Sequence, residues 1–263
     1  MEYLYLIGIA VVACAASVAT FLSGFGLGTI LLPVFLLIFP LPIAVTATAI
    51  VHLGNNLGKL IALYRDIDIP VLLRFGISAI IGAGGGALLF ESAASLPPLF
   101  SITLFDIFPL NFLPVNVLIG SIIIAFTFMD DLRITAGETS IRWLIGGGFL
   151  SGFFGGISGH QGALRSMVLS RTSLTKQQFV ATGVVIACSV DIVRMMFYSH
   201  TLSSQSYNSQ IILSIITALL GAFTGIIIGK RALTSLTNTQ FHRVVKYMLF
   251  IFGVLLISGV LTQ

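Results

Sequence analysis

Six apolar runs dominate this chain: residues 43–64, 70–90, 113–129, 178–199, 208–229 and 244–261. Each is near or above the length that crosses a hydrocarbon core, about 20 residues with a range of roughly 17–25. The runs are continuous, whereas the strands of a membrane barrel alternate over segments of about 10 residues. Helices are the other structure that satisfies its backbone inside lipid. Only 8% of the residues are charged and 57% are hydrophobic, whereas soluble domains carry about 25% charged residues. A chain this poor in charge cannot solvate a globular surface. The fold class that follows is an all-α integral membrane protein.

Four further apolar runs lie at 3–22, 29–39, 142–154 and 163–170. The first is long enough to span alone; the other three are too short. The N-terminus has Glu2 and no Lys or Arg ahead of its apolar run, unlike the charged start of a cleavable signal. Cys14 and Cys188 sit in separate apolar stretches and read as buried structural thiols. The net charge of +4 comes from basic residues in short loops, which argues against nucleic-acid binding. Residues 1–131 hold three basic and seven acidic residues, and the basic excess belongs to the rest of the chain.

Lys and Arg in short loops mark the cytoplasmic side. Arg65 and Arg74, Arg133 and Arg142, and Lys230, Arg231 and Arg243 occupy three such loops, while 91–112 and 200–207 have none. Arg165, Arg171 and Lys176 put the far end of 163–170 on the cytoplasmic side as well. Segment 142–170 therefore begins and ends on one side, as a hairpin that enters the membrane and returns. Residues 3–39 admit a matching hairpin from the other side.

The sequence also repeats. Phe21-Leu22-Ser23-Gly24-Phe25 recurs as Phe149-Leu150-Ser151-Gly152-Phe153, and each copy enters a glycine-rich break, 23–28 and 152–162. Gly82-Ala83-x-x-Gly86 returns as Gly221-Ala222-x-x-Gly225, and Ala47-Thr48 as Ala181-Thr182. The spacing predicts two inverted-topology repeats, 1–131 and 132–263, forming one membrane domain. Each is a glycine-broken re-entrant hairpin plus three transmembrane helices. Interrupted hydrophobic segments at corresponding places in two halves point to the binding site of a secondary transporter.

Ionisable groups at membrane depth are expensive and line cavities or pathways. His52, Asn55, Asn56 and Lys59 follow the spacing of one helical face. Asp191 and Arg194 are neighbours on a helix and read either as a structural ion pair or as part of a site. Lys59 and Arg194 lie close enough to the ends of their runs to snorkel instead. Beyond each break a half-helix starts, near Thr29 and near Ala163, and its unpaired N–H groups and dipole suit an anion. Ser23, Gly24, Gly26, Gly28 and Thr29 are the candidates at the first break. Ser158, Gly159, His160, Gln161, Gly162 and Arg165 are those at the second, where Arg165 offers a forked donor for an oxyanion or serves as a loop anchor. No His-Glu-x-x-His, Gly-x-Ser-x-Gly or Cys-x-x-Cys occurs, so no enzyme, metal or cofactor chemistry is expected.

Gly24-Phe25-Gly26-Leu27-Gly28-Thr29-Ile30-Leu31-Leu32-Pro33 resembles the glycine-rich, proline-ending signature of the sulfite exporter TauE/SafE family. Gly159-His160-Gln161-Gly162-Ala163-Leu164-Arg165-Ser166 and Phe179-Val180-Ala181-Thr182-Gly183-Val184-Val185-Ile186-Ala187-Cys188 resemble one branch of it. Leu27 stands where members usually have glycine, and the second half lacks the closing proline, with Met167 and Val168 nearby. The resemblance implies a membrane transporter of small sulfur-containing anions such as sulfite or organosulfonates. With the residue-level reading it gives a secondary transporter working by alternating access, in an inner or plasma membrane. The partners expected are the anion and the lipid bilayer. The number of copies stays open, a homodimer included. An anion channel of the same architecture and a non-transporting assembly subunit are the alternatives.

Overall fold

The computed structural model describes residues 4–23, 26–104, 108–129, 140–203, 209–231 and 239–261. Gly24, Phe25, Asp130, Asp131, Arg133 and the boundary between 131 and 132 lie outside them, and the side chains of Ser23, Arg231 and Arg243 are likewise not described. The chain is overwhelmingly helical. In order run α1 (Leu4–Ser23), α2 (Leu27–Leu36), α3 (Leu41–Leu63) and α4 (Ile69–Ala94). A short hairpin, β1 (Ser101–Leu104) and β2 (Phe108–Asn111), precedes α5 (Pro114–Met129). Then come α6 (Ile141–Ser158), α7 (Gly162–Leu169), α8 (Lys176–Ser203), α9 (Ser209–Arg231) and α10 (Thr239–Ile257).

Local chemistry sets these boundaries. Pro40 and Pro42 open α3 and Pro114 opens α5, positions where a missing N–H costs nothing. Asp68 caps α4 by accepting from the Val71 amide at 2.9 Å. The Asp68 amide in turn donates to Thr182 Oγ1 at 2.9 Å, tying the approach to α4 onto α8. Leu72–Gly76 is a π-helical turn within α4. Among the described residues three helices are long and apolar enough to cross a membrane: Ile69–Ala94, Lys176–Tyr198 and Ser209–Lys230. Expected runs 113–129 and 244–261 form shorter apolar helices, over Pro114–Phe128 and Lys246–Ile257. Among the described residues, the strand pair is the one departure from an all-helical reading. It pairs antiparallel from Ser101 opposite Asn111 to Leu104 opposite Phe108, in a segment expected to be a plain loop.

Packing crosses between the two halves of the chain. α6 lies along α4, α1 along α9, α3 along α8, and α5 along α10. The first two contacts are made backbone to backbone. A Cβ at Gly82 or Gly86 would strike the carbonyl oxygens of Phe149 and Phe153. One at Gly148, Gly152 or Gly156 would strike those of Phe75, Ala79 and Ala83. In the other pair, Gly221 and Gly225 meet the carbonyls of Ala10 and Cys14. Small residues are what let membrane helices approach this closely.

That packing corrects the expected second break. Gly152, Gly155 and Gly156 remain helical, because they serve the contact with α4 and the fold-back of the turn; the break is confined to Gly159–Gln161. The two copies of Phe-Leu-Ser-Gly-Phe are accordingly not in equivalent places. Phe21–Ser23 of the first are the end of α1, whereas the second lies inside α6, ahead of its end at Ser158. The helices before and after each break are unequal too. α1 has 20 residues and α6 has 18, against 10 in α2 and 8 in α7. The half-helices begin at Leu27 and Gly162, slightly ahead of the expected Thr29 and Ala163. Leu27, where the resemblance anticipates glycine, is buried in the core at the start of α2.

The exterior is apolar and the interior carries the charge. Ile77, Ile81 and Leu88 of α4, and Ile216, Leu220 and Ile227 of α9, are exposed. His52, Asn55, Asn56, Lys59, His160, Gln161, Arg165, Asp191 and Arg194 are buried. A chain in lipid has this reversed distribution, since an apolar outer face costs nothing there.

Candidate functional site

His52 of the polar stripe on α3 faces α8, and the two helices meet at its contact with Asp191. His52 Nδ1 stands 2.6 Å from Asp191 Oδ2. The other carboxylate oxygen, Oδ1, accepts from Arg194 Nε at 3.0 Å and has Arg194 Nη2 at 2.8 Å. Asp191 and Arg194 are both fully buried. The expected i, i+3 pairing on α8 is therefore present, and His52 makes it a triad. Asn56 Nδ2 lies 3.3 Å from each ring nitrogen of His52.

This triad joins the two helix breaks. At the first, Gly26 adopts φ 114° and α2 starts without a side-chain cap. A Cβ at Gly28 would stand 3.6 Å from Thr48 Cγ2 and 3.7 Å from His52 Cδ2, so the first turn of α2 rests on the His52 ring. At the second, Gly159 adopts φ 80° as α6 ends. A Cβ there would stand 2.5 Å from Arg194 Nη1, so the guanidinium lies flush against the turn. Gly28, His52, Asp191, Arg194 and Gly159 thus form one unbroken chain of contacts.

The second turn is held in shape by its neighbours. Ser151 Oγ donates to the Gln161 carbonyl at 3.0 Å. Gly155 leaves the space that Gln161 fills, since a Cβ there would come within 2.9 Å of Gln161 Cβ. Tyr198 donates from its hydroxyl to the carbonyls of Gly156 and Ile157 at the end of α6. His160 Nδ1 is 3.0 Å from Ser158 Oγ, and its ring lies 6.2 Å from that of Phe126. Arg165 Nη1 reaches Gln161 Oε1 at 3.5 Å, and Arg165 Nε lies 3.3 Å from where a Gly183 Cβ would be. Arg165 is within electrostatic reach of Asp191 and of Lys59.

On the other flank, Asn55 Oδ1 accepts from Ser17 Oγ at 2.7 Å, and Lys59 Nζ donates to Thr20 Oγ1 at 3.4 Å. Lys59 is 3% exposed and Arg194 0%, so neither snorkels. Arg165, 3% exposed, is likewise no surface anchor. Thr29 is half-buried at the start of α2 and joins none of these bonds. Gly24 and the Ser23 side chain lie outside the described residues. Ser17, Thr20 and Tyr198 were missed from sequence. Tyr198 continues the Asp191, Arg194 face by four residues, a spacing that was legible, whereas Ser17 and Thr20 carry no signal beyond being polar in an apolar helix.

Two properties define what this arrangement can hold. The charged side chains buried among the described residues are Lys59, Arg165 and Arg194 against Asp191 alone, a cationic excess before either histidine is counted. Asn55 Nδ2, His160 Nε2, Gln161 Nε2 and Arg194 Nη1 are buried without a hydrogen-bond partner. A buried unmatched donor costs about 1–3 kcal/mol, and unmatched buried charge costs more. No group of three His, Cys, Asp or Glu able to hold a metal occurs among the described residues.

The family model of the sulfite exporter TauE/SafE matches residues 9–256. The chain belongs to this family. No curated protein and no solved structure matches it. As a TauE/SafE protein it is a transmembrane transport protein of a family associated with sulfur anions, and it resides in a membrane. The TauE/SafE match covers both breaks and every residue of the triad.

Proposed function

We propose that this TauE/SafE protein is a secondary transporter that binds one small anion, sulfite or an organosulfonate, between its two helix breaks. The observation that carries this is the buried cationic excess beside the unmatched donors of Asn55, Gln161 and Arg194. Helix N-termini at Leu27 and Gly162 add oriented N–H groups from both sides. A sulfur oxyanion presents several acceptor oxygens and a full charge. Forked guanidinium donors answer both.

The substrate-facing groups are Arg165, Arg194, His160, Gln161 and Asn55, with the backbones of Gly28 and Gly159–Gly162. Transport proceeds by alternating access, one half rocking against the other about the α3–α8 contact. Inverted repeats support this motion. The intervals from Ala10 to Phe149, Cys14 to Phe153, Gly82 to Gly221, Gly86 to Gly225 and His52 to Asp191 are all the same. The contacts α1–α9 and α6–α4 therefore mirror each other, and His52 and Asp191 are each other's counterparts. Each half contributes a hairpin that re-enters from opposite faces. The basic ends at Arg65, Arg74, Arg142, Arg171 and Lys176 face the cytoplasm of a cell membrane.

The test is sulfite uptake into proteoliposomes. Wild type takes up sulfite saturably. Arg165→Ala and His160→Ala lose about tenfold or more, since a hydrogen bond to a charged group contributes roughly 1.5–3 kcal/mol. Wild-type flux in both variants removes the site, and unitary currents in place of saturable uptake identify a channel.

A further inference from the structure

We infer that His52, held on Asp191, is the coupling-proton site of this carrier, distinct from the groups that face the anion. This rests on the transport reading above. Among the described residues, His52–Asp191 is the ion pair that joins the two halves of the chain; the other pair, Asp191–Arg194, lies within α8. Any rocking of one half on the other bears directly on it. His52 sits at the position that corresponds to Asp191 in the other half, midway along α3, where the two halves meet.

The surroundings single out His52 as the group that changes charge. Asp191 is fixed on its second oxygen by Arg194, and Arg165 adds positive charge within reach. On the α8 side Cys188 is the remaining titratable group near Asp191, and Tyr198 lies further along the same helix. Lys59 is seven residues further along α3, bonded to Thr20 of α1. α2 presents Gly28 to the ring and contains no titratable residue. α9 meets α3 through Leu219, Phe223 and Ile226, against Gly54 and Gly58. Imidazole is the side chain whose ordinary protonation equilibrium lies near neutral pH.

The proton balance is simple. Nδ1–H donates to Asp191 in both forms, and the coupled proton is taken on and given up at Nε2. The Asn56 amide nitrogen lies over the ring, 3.3 Å from each of its two nitrogens. The inter-half contact is then an ion pair when loaded and a hydrogen bond from a neutral imidazole to the Asp191 carboxylate when empty. The pair weakens when the proton leaves, and the halves part more readily.

The experiment is steady-state sulfite accumulation in proteoliposomes under an imposed pH difference, with sulfite exchange at equal pH as a separate arm. Accumulation is read against protein-free vesicles, which removes the speciation of sulfite itself. One proton per anion gives wild type up to about tenfold accumulation per pH unit, the equivalent of 1.36 kcal/mol. His52→Gln falls to the protein-free level, whatever rate of exchange it keeps, because steady-state accumulation does not depend on turnover. His160→Gln, at the anion, takes up sulfite more weakly and still accumulates it. Wild type that exchanges sulfite without accumulating it overturns the proton site and leaves the transport reading intact. Wild type that does not exchange sulfite overturns both. Accumulation kept in His52→Gln, or lost in His160→Gln, also overturns the assignment. If His52→Gln fails to insert, wild type and His160→Gln still decide.

Discussion

At the scale of single residues, two glycines do different work although both have positive φ. Gly26 at 114° starts α2, with Thr20 Cγ2 at 3.3 Å from a would-be Cβ. Gly159 at 80° ends α6 with Arg194 Nη1 at 2.5 Å. A left-handed conformation costs an L-residue roughly 1–2 kcal/mol, so Gly26→Ala and Gly159→Ala both lower the thermal midpoint in detergent. Gly159→Ala also pushes the guanidinium away from the turn. Its apparent affinity for sulfite in an uptake assay falls well below that of Gly26→Ala. Equal affinities in the two variants contradict the role given to the Arg194–Gly159 contact. The side chains of this site were readable from sequence because ionisable groups are scarce in apolar helices. Which of them touch was not. His52 and Asp191 lie far apart in the chain, and only the α3–α8 packing brings them to 2.6 Å.

At the scale of elements, glycine spacing separates packing from breaking. Gly148, Gly152 and Gly156 recur every four residues on the face of α6 that meets α4, and Gly82 and Gly86 recur in the same way on the opposing face. Within Gly84-Gly85-Gly86, Gly86 alone of the three faces a backbone carbonyl. A Cβ at Gly84 or Gly85 has its nearest neighbours at 3.9 Å and 3.8 Å. Gly86→Val therefore destabilises by about 1–3 kcal/mol through overpacking, while Gly85→Ala leaves the midpoint unchanged or raises it, as replacing a helical glycine does. Thermal denaturation in detergent distinguishes them, and equal shifts for both contradict the α4–α6 contact. The run 152–162 read as one long break because glycine content alone does not tell a helix that packs from a chain that turns. The length of α6 was not legible, since the short apolar run 142–154 gave no sign that the helix continues to Ser158. The strands Ser101–Leu104 and Phe108–Asn111 also went unseen, in sequence without alternation strong enough to mark them.

At the scale of the whole molecule, each half of the chain seats its first helix on the other half's fourth helix, α1 on α9 and α6 on α4. The helix breaks then approach α3 and α8 at the contact between halves, and three buried cations gather with one carboxylate. Helical membrane architecture was legible from hydropathy. The cross-seating was not, because it depends on which small-residue faces match in space. The central claim is that one anion binds between the two breaks. Selenite is a heavier oxyanion of the same shape and charge class as sulfite. An anomalous difference map from crystals soaked in selenite tests the claim most directly. The account predicts one peak within hydrogen-bond reach of the Gly159–Gly162 turn, Arg165 and Arg194, removed by competing sulfite. A sulfite-sensitive peak elsewhere, with none at the breaks, contradicts it.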